Sequence, residues 1–168
     1  MMETAVQHHG PVAIRYPRGK AQGVEIEDQP QPIPMGKAEI LKPGDDVLII
    51  ALGSSVAEAQ LATQELESQG IDAEIINARF AKPLDQELIL REVKRVKKVV
   101  TVEEHVLAGG FGAGVAELLM DNGVTNLEFK RLGIQDQLVE HGTQTELRRD
   151  HGIDAQGIIQ AVKELHGR

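Results

Sequence analysis

Residues 47–52, VLIIAL, set the tightest limit on what this chain can fold into. Six consecutive apolar residues leave a strand no polar face, so both faces must be covered. Such a strand belongs in the middle of a sheet with helices on either side. The residues that follow fit that picture. Gly53-Ser54-Ser55 opens a helix in which Ser55 and Glu58 have capping-box spacing. Val56, Ala59, Ala62 and Leu66 recur every three or four residues as a buried stripe, and Gly70 suits the left-handed residue that ends a helix. The alternation repeats, with strands at 72–78, 98–103 and 126–132 and helices over 85–95 and 112–121. Two short helices, 143–150 and 154–166, close the chain. Alternating strands and helices with short connections imply parallel strands joined by right-handed crossovers. Residues 37–41 (KAEIL) alternate like a half-buried strand, and Pro43-Gly44 suits a tight turn. The first strand is therefore expected to form a hairpin with 47–52 and to run antiparallel to the rest. The expected fold is a three-layer α/β/α sandwich around a mostly parallel sheet of roughly five strands, with one antiparallel edge strand.

The first 35 residues differ. Residues 12–16 read as a short strand that Pro17 cuts off. The polar stretch after it carries Pro30, Pro32 and Pro34 and has no helical period, which reads as a linker. The expected organisation is the tail of a preceding domain over 1–19, a linker over 20–35 and one domain over 36–168.

Composition excludes several functions. A net charge of −8 repels polyanions, and 2% aromatic residues cannot build a base-stacking platform. No apolar run approaches the ~18 residues of a membrane span, and the opening MMETAVQHHGP lacks the apolar core of a signal peptide. With no cysteine, disulfides and thiolate metal sites are ruled out, and the cytoplasm is the default compartment. A small phosphorylated metabolite remains compatible, because one or two placed arginines hold a phosphate.

Four segments carry candidate chemistry. In residues 14–19 (IRYPRG), Arg15 and Arg18 flank a Tyr-Pro pair, and a guanidinium fork matches phosphate oxygens. The competing reading is a solvated linker ion pair. The glycine-rich turn from Gly109 to Gly114 lies between a strand and a helix, where amides can cradle an anion. It is neither a dinucleotide fingerprint nor a lysine-bearing phosphate loop, so tight packing explains it equally well. Glu103, Glu104 and His105 end a parallel strand, where α/β sites form. They suit acid–base work or a metal, yet Glu140-His141 and Asp150-His151 are isolated pairs without ligand spacing, which favours capping or interface roles for all of them. Arg79 and Lys82 offer an anion site in a connector that Pro83 and the helix-capping Asp85 already explain structurally.

Taken in order, these segments resemble one family. RYPRG at 15–19, IPMGKAEIL at 33–41, ALGS at 51–54, ARFAKPLD at 78–85, TVEEHVLAGGFGAGV at 101–115 and HGTQTELRRDHGIDAQGI at 141–158 look like the last quarter of the 1-deoxy-D-xylulose-5-phosphate synthases. Transketolases and the β subunits of 2-oxoacid dehydrogenase E1 components share the fold and parts of the motifs. The resemblance implies a transferase that uses thiamine diphosphate and Mg2+. It releases CO2 from pyruvate and joins the remaining two carbons to D-glyceraldehyde 3-phosphate, making a precursor for isoprenoid, thiamine and pyridoxal biosynthesis. By motif position, Arg18 would hold the substrate phosphate; Arg15 does not carry over with it. The Gly-Asp-Gly and asparagine-pair motif that binds the cofactor in the family does not occur in this chain. The resemblance thus implies no catalytic, cofactor-binding or metal-binding residue here and an inactive isolated chain. Its partners would be the other domains of the same polypeptide, including a pyrimidine-binding domain ending near residue 19, within a homodimer. Two other readings stand beside it: a free-standing anion-binding module built on the glycine turn, and a purely dimerising module.

Overall fold

The computed structural model describes residues 1–17 and 28–167. Arg18, the candidate phosphate ligand, and much of the expected linker lie outside the described residues. The elements are α1 (Met2–Gln7), β1 (Glu39–Lys42), β2 (Val47–Ala51), α2 (Ser55–Ser68), β3 (Ala73–Asn77), α3 (Gln86–Val96), β4 (Lys98–Val106), α4 (Phe111–Asp121), β5 (Glu128–Ile134), α5 (Gln144–Asp150) and α6 (Ala155–His166). The sheet order is β1-β3-β2-β4-β5. β2, β3, β4 and β5 pair in parallel, and β1 pairs antiparallel with β3 at one edge.

Every residue of β2 is buried, as its composition requires. Alternation sends Ile49 to one face and Leu48 and Ile50 to the other. On the first face Ala59, Ala62 and Leu66 of α2 and Ile158, Val162 and Leu165 of α6 pack with Ile49, Ile75 and Val100. On the second, Ile89 and Val93 of α3 and Val115 and Leu119 of α4 pack with Leu48, Ile50, Ile76 and Val99. Each large aliphatic side chain so buried contributes about 1.5–3 kcal/mol against the entropy of ordering the chain. The three-layer sandwich with one antiparallel edge strand is the fold that the sequence pattern implies.

The expected hairpin does not form: β1 is antiparallel, but its partner is β3 and not β2. The chain leaves β1, passes across the start of β3 and enters β2. Asp46 donates its N–H to the Asp72 carbonyl at 2.9 Å, and its carboxylate accepts from the Asp72 N–H at 2.7 Å. Gly44 makes the passage possible, since a Cβ there would lie 2.6 Å from the carbonyl carbon of Ala73 and the nitrogen of Glu74. Burial explains the choice. The fully apolar β2 gains most from a central place, whereas the half-exposed β1 with its Lys42 suits an edge.

Two smaller expectations also fail. Residues 12–16 are not a strand; within the described residues they have no ladder partner, and a strand is stabilised by its ladder. The Ser55–Glu58 capping box is absent as well. Ser54 is the N-cap of α2 and makes no side-chain cap, Ser55 Oγ is buried without a partner, and Glu58 accepts from the Ala155 N–H at 3.1 Å instead. Asp85, by contrast, caps α3 by accepting from the Leu88 N–H at 3.2 Å.

Candidate functional site

In a doubly covered parallel sheet, chemistry gathers where strands end and loops begin. That edge here carries Ser54 after β2, the terminal residues of β4, the start of α4, and α5. Residues 103–105 lie at a break in the ladder, because the regular register of β4 with β5 ends at Val102 and resumes only at Val106. Side chains therefore add to the sheet in fixing this stretch.

Glu103 is 1% exposed. Its carboxylate accepts from the backbone N–H groups of Phe111 at 2.6 Å and Gly112 at 2.8 Å. It is a buried carboxyl group seated on the N-terminus of α4, where the first amides of the helix lack partners within it. The glycine-rich turn serves this contact. Gly109 adopts φ +67°, a Cβ on Gly110 would collide with the Glu103 carboxylate, and a Cβ on Gly112 would lie 2.5 Å from Thr101 Oγ1. Packing, the second of the two readings of the turn, is what the geometry supports, because an external phosphate would have to displace Glu103.

Glu104 points elsewhere. Its carboxylate accepts from Arg148 Nε at 2.5 Å and from Ser54 Oγ at 2.5 Å, and its backbone carbonyl accepts from Arg15 at 2.9 Å. Arg148 also pairs with Glu58 at 3.2 Å, and both of these side chains are only 18% exposed. α5 has no buried residue, so this cluster is a principal tie between α5 and the sheet. A guanidinium shared by two half-buried carboxylates holds more firmly than an exposed surface pair.

The remaining candidates do not converge. The ring nitrogen Nδ1 of the exposed His105 lies 3.0 Å from the Val106 carbonyl, so no acid–base pair with Glu103 or Glu104 is assembled. Glu140 and His141 are exposed ahead of α5. His151 ends α5, its N–H bonding the Leu147 carbonyl at 3.1 Å, and Asp150 pairs with Arg149 at 3.5 Å. Arg79, at φ +58°, spends its guanidinium on Glu39 of β1, and Lys82 is exposed in the connector. Among the described residues no three His, Asp or Glu side chains group to hold a metal ion. The carboxylates at the sheet edge are committed to Arg148 and to amides, a donor set that does not fit a metal–diphosphate. Ser54, Glu58 and Arg148 were not legible as a site in the sequence, since Arg148 stands 44 and 90 residues from its two carboxylate partners. No helix among the described residues is long and apolar enough to cross a membrane.

Comparison with known proteins places this geometry. Residues 36–158 match the family model described as transketolase, C-terminal domain. The chain is 51% identical over 163 residues to 1-deoxy-D-xylulose-5-phosphate synthase 1 of Geobacter sulfurreducens, covering 97% of this chain and 26% of that protein. It is 45% identical over 165 residues to the 1-deoxy-D-xylulose-5-phosphate synthase of Heliobacterium modesticaldum, covering 98% of this chain and 25% of that one. The chain thus spans about a quarter of the length of these curated relatives. Among solved structures it resembles a split-gene transketolase described as an inactive β4 tetramer, with a TM-score of 0.73 and 30% identity over 90% of this chain and 47% of that one. A Campylobacter jejuni transketolase, at TM-score 0.57 and 18% identity over 77% of this chain and 18% of that one, shares the fold.

Proposed function

This chain belongs to the transketolase C-terminal domain family, and on that premise we propose that it is the C-terminal domain of a 1-deoxy-D-xylulose-5-phosphate synthase. The observation that carries the proposal is the match to synthases of that name at 45–51% identity over nearly the whole chain. In this reading the other domains of the polypeptide hold thiamine diphosphate and Mg2+, which supply the chemistry that removes CO2 from pyruvate. The transferase then delivers two carbons to D-glyceraldehyde 3-phosphate, on the route to isoprenoids, thiamine and pyridoxal. Such an enzyme is a cytoplasmic homodimer, and the present chain alone is inactive.

This chain supplies binding and support. Residues 11–17 reach the C-terminal edge of the sheet, where Arg15 is anchored on Glu104. Arg18 follows directly in sequence and would meet the phosphate of glyceraldehyde 3-phosphate through its guanidinium fork. The split-gene transketolase supports the expectation of inactivity, since that chain assembles as an inactive tetramer. A role in a transketolase itself is less favoured, because the identity there is 30% or lower.

The test is a segment exchange in which these residues replace the matching quarter of the Geobacter sulfurreducens synthase. Arg18→Ala in that enzyme should raise the KM for glyceraldehyde 3-phosphate about tenfold or more, with little effect on unphosphorylated glyceraldehyde. Equal effects on both acceptors remove Arg18 from the phosphate.

A further inference from the structure

Glu104 receives contacts from both ends of the chain. Its carboxylate holds Arg148 of α5 and the Ser54 hydroxyl, while its carbonyl receives Arg15 from a segment 89 residues earlier. That carbonyl lies in the gap of the β4–β5 ladder between Val102 and Val106, beyond the last β2–β4 pair at Ala51 and Val102. Side-chain contacts therefore supplement an irregular stretch of ladder in holding the Glu104 backbone. A carboxylate 26% exposed stays in place while its cation and hydroxyl partners hold it. Without Arg148 it gains by turning toward water, and the end of β4 loses one of the contacts that hold it.

We propose that Glu104 is a positioning residue that couples the docking of α5 to the placement of residues 11–17 at the sheet edge. Arg148 and Ser54 fix the end of β4, and the carbonyl they fix receives Arg15. When α5 leaves the edge, the Arg15 anchor loosens. When α5 is docked, the segment that enters the edge has one defined position. Only the consequence for substrate rests on the proposed function, in which the residue following this segment meets a phosphate.

Tyr16 makes the coupling measurable. It is the single tyrosine, in a chain without tryptophan, and it is 80% exposed beside Arg15. Time-resolved fluorescence anisotropy of the 168-residue chain therefore reads the local freedom of this segment alone. Arg15→Met should increase the fast, large-amplitude motion of Tyr16. Arg148→Met, on an element remote in sequence, should increase it comparably, and the double variant should go no further than Arg15→Met. Lys130→Met, which removes an unrelated pair with Glu164, should leave the decay unchanged. If Arg148→Met lowers the global stability too far, Arg148→Lys, which keeps the charge but loses the guanidinium fork, should give an intermediate increase.

An unchanged Tyr16 decay in the Arg148 variants, or simple addition of the two effects, overturns the coupling. In the segment-exchanged synthase Arg148→Met should raise the KM for glyceraldehyde 3-phosphate about threefold or more while kcat holds. A coupled Tyr16 with an unaltered KM would leave the junction standing and count against the phosphate role of Arg18.

Discussion

The carboxylate of Glu103 lies 2.6 Å from the backbone nitrogen of Phe111, so a residue on β4 closes the N-terminus of α4 from inside the protein. Sequence distance is short, eight residues, but the contact spans the whole glycine-rich turn. It ties strand, turn and helix into one unit.

Glu103→Ala should therefore destabilise the chain by about 2–4 kcal/mol, because two buried amides lose their acceptor. Glu103→Gln keeps one acceptor oxygen and should cost less, about 1–2 kcal/mol. Urea unfolding followed by circular dichroism reads both. A neutral Glu103→Ala would mean that the α4 amides find another partner, and would reopen the turn as an anion site.

Much of this architecture was legible in the sequence, and the misses have physical causes. The run 47–52 announces a central strand because no polar residue interrupts it, and Asp85 announces a cap because the helix follows at once. The partner of β1 was not legible. Pro43-Gly44 has the local chemistry of a hairpin turn, and only the burial of β2 on both sides decides that the chain crosses β3 instead. Glu103 was visible as a carboxylate at a strand end, but its target depends on how the turn folds back. Arg148 carries no local signal, since its value arises from two carboxylates that the sequence keeps far away.

The crossing of β3 predicts a steric penalty at one position. Gly44→Ala places a methyl group against the Ala73–Glu74 backbone and should cost about 2 kcal/mol or more, whereas a hairpin turn at that site would tolerate it. Comparing thermal unfolding midpoints of the two proteins checks this.

Stability should depend on pH in two separate windows. Burial, with the nearby Glu92 carboxylate adding to it, pushes the Glu74 carboxyl up to about 7 despite Arg95. A folded value above the ordinary 4.5 means that its contribution is full below pH 4.5 and is lost as pH rises through about 7. Asp85 behaves oppositely. Burial raises it, but the Ala38 and Leu88 amides and Lys37 outweigh that and hold it below its ordinary 3.8. Its contribution is present above pH 3.8 and is lost as pH falls through its lowered value. Glu74→Gln should flatten the slope between pH 4.5 and 7 and leave the acid limb intact, as urea midpoints across pH would show.

Asp85 also joins two elements, since it accepts from Leu88 at the start of α3 and from the Ala38 N–H at 3.0 Å. Asp85→Ala should cost about 2 kcal/mol, more than a simple helix cap is worth. Asp85→Asn, which retains an acceptor, should recover part of that loss in the same unfolding assay.

The central claim is that this chain is the C-terminal domain of a synthase and works only with the domains that hold the cofactor. The direct measurement is product formation from pyruvate and glyceraldehyde 3-phosphate, by the 168-residue chain alone and by the Geobacter sulfurreducens enzyme carrying it in place of the matching segment. The account predicts no turnover by the isolated chain and turnover within about tenfold of the parent by the exchanged enzyme. An exchanged enzyme that folds and binds thiamine diphosphate yet forms no 1-deoxy-D-xylulose 5-phosphate would contradict it.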